Sequence, residues 1–88
     1  MRTYIQINPA DNVIVTVKDL QAGASLDIND KTIVIQQDTP AGHKIALQDV
    51  KEGDHIIKYG APIGHAREII TTGSWVNEKN INTNLKGL

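Results

Sequence analysis

Few side chains in this sequence can do chemistry, and the three histidines are the first to weigh. His43, His55 and His65 are 12 and 10 residues apart. A metal pair legible in sequence wants imidazoles at i, i+2 or i+4, so this spacing forms no metal motif. His43-Lys44 follows Gly42, where side chains project from a rigid turn toward a ligand or toward water. The densest stretch is Lys58-Tyr59-Gly60-Ala61-Pro62-Ile63-Gly64-His65. Its glycines would let backbone N–H groups approach an anion, although it matches neither a Walker loop nor a dinucleotide fingerprint. The plainer reading is a sharp bend in a strand. There is no cysteine, and Ser25 and Ser74 have no recognisable nucleophile context. Asp19, Asp38, Asp49 and Glu68 are read as capping turns, which leaves no free carboxylate pair for acid–base work. Trp75 is read as core or interface, with an aromatic platform for a sugar as the lesser reading.

The elements that must hold these groups are short strands. Thirteen Ile, six Val and seven Thr face five Leu and no Phe. Branching at Cβ stiffens χ1 and suits a pleated, half-buried surface. The composition therefore predicts a mostly β domain whose core is Ile and Val. The alternation predicts strands over Thr3–Ile7, Asn12–Val17 and Thr32–Gln36. Shorter ones are expected over Leu26–Ile28, Lys44–Leu47, His55–Lys58 and Ser74–Asn77. In the Asn12–Val17 strand, Val13, Val15 and Val17 share one face. One or two helical turns are expected, near Ala66–Ile70 and before Gly23.

A pattern recurs four times. An acid precedes Gly23, Gly42, Gly53 and Gly73 by four or five residues, and an apolar residue follows three later. Each acid is expected to accept backbone N–H groups one turn on, and each glycine to take positive φ and launch the next strand. These are strand–turn–strand corners, in two pseudo-equivalent halves meeting near Leu47.

At 9.6 kDa the chain is one small domain, too thin to house a large active site by itself. A net charge of -1 argues against nucleic acid or an anionic membrane as partner. No apolar run approaches a spanning helix and Met1-Arg2-Thr3-Tyr4 opens no signal peptide, so a cytoplasmic location is expected.

Four strings carry a resemblance, the last of them the ending Asn80-Ile81-Asn82-Thr83-Asn84-Leu85. Tyr4-Ile5-Gln6-Ile7-Asn8-Pro9-Ala10-Asp11-Asn12-Val13 is similar to the opening of the altronate/galactarate dehydratase family. Gln37 to Val50, with Gly42-His43-Lys44-Ile45-Ala46-Leu47 inside it, resembles that family's first-domain signature. So does Ile57-Lys58-Tyr59-Gly60-Ala61-Pro62-Ile63-Gly64. The resemblance implies a SAF domain with a β-clip fold over residues 1–80, and a tail or linker over 81–88 leading to a catalytic domain. It implies an accessory domain or small subunit of a sugar-acid hydro-lyase, inactive alone, whose product is a 2-keto-3-deoxy acid. The expected partners are a large catalytic dehydratase domain and the sugar acid. Iron or manganese is expected in that partner, and no cofactor in this chain. The family carries alternating histidines after the last corner glycine, where this chain has Trp75, Asn77 and Lys79, so no metal site carries over. The residues that carry over as substrate-binding are His43, Lys44, Lys58, Tyr59, Gly60 and Gly64, with Asn77 as a replacement ligand. Two further readings stand beside this one. The chain is a carboxylate-binding module without catalysis, or a domain whose exposed ribbon edges drive homo-oligomerisation.

Overall fold

The computed structural model describes residues 3–83. Nine short strands follow one another: β1 (Tyr4–Ile5), β2 (Val13–Thr16), β3 (Ser25–Ile28), β4 (Lys31–Val34), β5 (Lys44–Ala46), β6 (His55–Lys58), β7 (Ala61–Ala66), β8 (Trp75–Val76) and β9 (Ile81–Asn82). The fold is all strand. Among the described residues there is no helix, so none is long and apolar enough to cross a membrane. Of the two expected helical turns, Ala66–Ile70 is instead the end of β7, a bend and a bridge to Val50, and the one before Gly23 is a type II turn that recurs at two other corners. At Gln21, Lys51 and Thr71 a carbonyl accepts the N–H three residues on, across a glycine with φ near +90°.

A four-stranded antiparallel sheet, in the order β1-β2-β5-β8, lies between two cores. Val13, Ala46 and Val76 enter one core with Val50, Ile56, Ala66, Ile70 and Ile81. Ile14 and Ile45 enter the other with Leu20, Leu26, Ile28, Ile33 and Ile35. The second strand ends at Thr16, one residue short of the expected Val17. A strand that is central in its sheet and covered on both sides buries both faces. Val13 and Ile14 are therefore both buried, while Val17 leaves the strand and is exposed.

The β3–β4 hairpin caps one core, and the sheet β6-β7-β9 covers the other. Asn29 and Asp30, both at positive φ, form a two-residue type I′ turn. Its tightness starts β4 at Lys31, one residue earlier than expected, and ends it at Val34. Ile81 is buried and pairs with Ala66, so the ordered sheet runs past residue 80. Residues 84–88, the rest of the expected tail, lie outside the described residues.

The corners cross in pairs. Leu20 and Thr39 exchange both main-chain hydrogen bonds, and so do Val50 and Ile70. The carboxylates act across each crossing rather than within their own turn. Asp19 accepts the Ala41 N–H and Asp38 accepts the Ala22 N–H, each at 2.9 Å. Asp49 accepts both the N–H and the hydroxyl of Thr72 at 2.8 Å. At the fourth corner Ile69, not Glu68, holds the equivalent place. An acceptor one turn on would need its own turn to be helical, and these turns are not.

Candidate functional site

Two of the corners aim their next residues at one another. Past Gly42 the chain runs into β5, and past Gly73 into β8, and the two strands pair Lys44 with Val76 and Ile45 with Trp75. His43 and Trp75 meet edge to face, with ring centroids 4.8 Å apart and planes at 78°. Beside them opens a groove of about 480 Å³. His43 and Lys44 form one wall, and residues 75–79 form the other.

Two lysines and one carboxylate line the groove. Lys44 is half-buried, and its pKa is lowered, first by desolvation and second by the nearby Lys58 ammonium. Both influences push the same way, so this cation is held in the groove wall at a cost. The Trp75 Nε1–H is buried and, among the described residues, has no hydrogen-bond partner. A buried donor without an acceptor costs about 1–3 kcal/mol. Lys79 adds a further cation to the rim and Glu78 a single anion.

The residues expected at a site fall into two places. His43, Lys44 and Asn77 line the groove. Asn77 also builds its wall, since its Oδ1 accepts the Lys79 N–H at 2.8 Å and its carbonyl accepts from Asn80 and Ile81. Lys58, Tyr59 and Gly60 form the tip of the β6–β7 hairpin. Tyr59 and Gly60 are both at positive φ, a type I′ turn. The Gly60 N–H donates to buried Asp11 Oδ1 at 2.8 Å, and the Lys58 Nζ lies 4.8 Å from the centre of the Tyr59 ring. Gly64 is buried where a Cβ would come within 2.5 Å of the Asn82 carbonyl oxygen. The densest stretch of the sequence is thus a hairpin, with Lys58 over the Tyr59 ring and near enough to Lys44 to lower its pKa.

The hairpin is fastened to β2 by Asn12. Its side chain accepts the Ile57 N–H at 2.7 Å and donates to the His55 carbonyl at 3.0 Å. Since β2 also pairs with β5, setting Val15 opposite Lys44, it holds both lysine-bearing strands in register.

The family model for the altronate/galactarate dehydratase SAF domain matches residues 2–84. The chain belongs to that family. It is 42% identical over 88 residues to an altronate dehydratase of Bacillus subtilis, covering 100% of this chain and 18% of that protein. An altronate dehydratase of Escherichia coli is 42% identical over 85 residues, covering 97% of this chain and 17% of the relative. The chain therefore spans less than a fifth of these two relatives. The (2R)-sulfolactate sulfo-lyase subunit alpha of Chromohalobacter salexigens is 31% identical over 85 residues, which cover 88% of this chain and 90% of that subunit.

Within this SAF domain, residues 75–79 do not suit a divalent cation. An indole N–H is no ligand and a lysine ammonium repels the ion, which leaves only the single carboxylate of Glu78 and the Asn77 Oδ1, already accepting a hydrogen bond. Among the described residues no group of three His, Asp or Glu is placed to hold a metal. Sequence reasoning left Lys79 out as a groove residue, weighed Glu78 only with Asn77 as a stand-in for the missing histidines, and gave Trp75 a ligand platform only as the lesser reading. The signal was present in the alternation of Trp75, Asn77 and Lys79 after a corner glycine. It needed the pairing of that corner with Gly42-His43-Lys44 to point at a site.

Proposed function

We propose that this SAF domain is the accessory small component of a sugar-acid hydro-lyase of the altronate/galactarate type, without turnover of its own. The carrying observation is the way the relatives use the module. It makes up 18% of an altronate dehydratase and 90% of a sulfo-lyase subunit alpha, so it occurs both inside a larger protein and as a subunit. A large catalytic portion supplies the dehydration to a 2-keto-3-deoxy acid, with iron or manganese bound there. This domain contributes the groove. Lys44, with Lys58 near it, takes the substrate carboxylate by charge-assisted hydrogen bonds.

The test joins the chain to the large portion of an altronate dehydratase and measures dehydration of altronate and galactarate with added iron or manganese. Turnover is expected only in the mixture or the fused chain, and turnover by the chain alone would overturn the reading. In the fused enzyme Lys44→Met should raise KM about tenfold, the loss of one charge-assisted contact. In the same variant fold stability should not fall. Burial lowers the Lys44 pKa, so folding works against its charged form below that pKa, and the penalty fades as pH rises. Equal loss of stability and of KM would mean that Lys44 is a packing residue.

A second reading is favoured by the same half-buried cation. The domain holds a carboxylate without taking part in catalysis. Saturable binding of a sugar acid to the 88-residue chain, lost in Lys44→Met, supports it, and a flat titration at millimolar ligand removes it.

A further inference from the structure

Two of the three histidines meet across a hairpin, away from the groove. The β6–β7 pairing sets His55 directly opposite His65. The neighbouring Ala66 N–H donates to the Asp54 carbonyl at 2.9 Å, so the ladder bond flanks the histidine pair rather than joining it. The outward main-chain groups of the two residues find other partners. The His55 carbonyl accepts from Asn12 Nδ2, and His65 pairs with Asn82 of β9. This is the close, non-hydrogen-bonded kind of antiparallel pair, with Cα atoms about 4.5 Å apart and side chains on one face nearest each other. His55 is exposed and His65 half-buried. Among the described residues neither imidazole makes a side-chain hydrogen bond.

We propose that His55 and His65 together form a binding site for a late first-row divalent cation, namely nickel, copper or zinc. Imidazole nitrogen suits these ions, whereas magnesium and calcium require oxygen ligands. Among the described residues no third His, Asp or Glu joins the pair, so water completes the coordination and the affinity is modest. The bound ion ties β6 to β7 beside the bulge between Ile56 and Ile57. The site stands apart from the proposed dehydratase role and from the metal of the catalytic portion.

The experiment titrates Ni²⁺ into the 88-residue chain by calorimetry and follows the melting temperature at each concentration. One ion per chain is expected, with a rise in melting temperature that saturates with binding. His55→Gln and His65→Gln should each weaken binding about tenfold or more, because the second ligand is intramolecular only when both are present. His43→Gln should leave it unchanged, and Mg²⁺ should give neither heat nor shift. If His65→Gln loosens the sheet, exposed His55→Gln still decides. Absence of binding at millimolar Ni²⁺, or undiminished binding in His55→Gln, overturns the proposal.

Discussion

At the first crossing of corners the carboxylates of Asp19 and Asp38 each reach over to the opposite turn, so the two corners hold one another symmetrically. At the second crossing only Asp49 does so, and Ile69 stands 70% exposed where the fourth carboxylate would be. Both crossings keep the reciprocal main-chain exchange and bury the residue at its centre, Leu20 with Thr39 and Val50 with Ile70. The corner is therefore made by main-chain pairing and burial, and the carboxylate reinforces it. The crossings differ in surroundings too. A Cβ on Gly42 would meet nothing within 4 Å, whereas one on Gly73 would lie 1.9 Å from the Val34 carbonyl oxygen.

The largest effect expected from this contrast is at the glycines. Both have φ of +87°. Gly42→Ala should cost about 1–2 kcal/mol, the strain of that conformation alone. Gly73→Ala adds a main-chain collision and should cost about 3 kcal/mol or more. Urea unfolding of the two variants measures the gap, and equal losses would mean that the crowding at Gly73 relaxes freely.

Next in size are the carboxylates. Asp19→Ala and Asp38→Ala should each lose about 1 kcal/mol, as for a lost cap. Asp49 is distinguished by its response to pH. Its pKa is lowered by the Thr72 N–H first and the Thr72 hydroxyl second, against a smaller opposing effect of burial. A depressed carboxylate pKa stabilises the fold fully above the unfolded value of about 4 and loses that contribution as pH falls through the folded value. Stability of the native chain should therefore drop between about pH 4 and lower pH more steeply than that of Asp49→Asn. Parallel profiles would show that the Thr72 contacts carry no linkage.

The smallest effect is the most pointed. Ile69→Asp restores the fourth carboxylate. By analogy with the other three corners, it should accept the Glu52 N–H. A gain of about 0.5 kcal/mol is expected from one exposed hydrogen bond. A loss would show that Ile69 is retained for packing, despite its exposure.

Much of the fold was legible in the sequence because a strand needs only alternation and its corner only a glycine at the right distance. The Ile- and Val-rich core, the β class and all four corners follow from these local cues. What the sequence hid was pairing. Whether Asp38 caps its own turn or the one at Ala22 depends on which corner lies opposite. The double burial of Val13 and Ile14 depends on what covers the second face of β2. Lys58-Tyr59-Gly60 was open to two readings, an anion loop and a bend in a strand, because glycines near a lysine suit the first and a type I′ turn the second. The groove was half legible. His43 and Lys44 stood out as polar residues just past a corner. Trp75 did not, because a lone tryptophan in a thin domain is ordinarily core.

The crossings also bear on how the chain reaches this state. Leu20 meets Thr39, and Val50 meets Ile70, across loops of only about twenty residues each, so the entropy of closing either loop is small. The two halves can nucleate separately and early, before β2, β5 and β8 are drawn together into the central sheet. Rates of refolding should then be most sensitive at Leu20 and Val50, and rates of unfolding at Ile45, where the two halves lock.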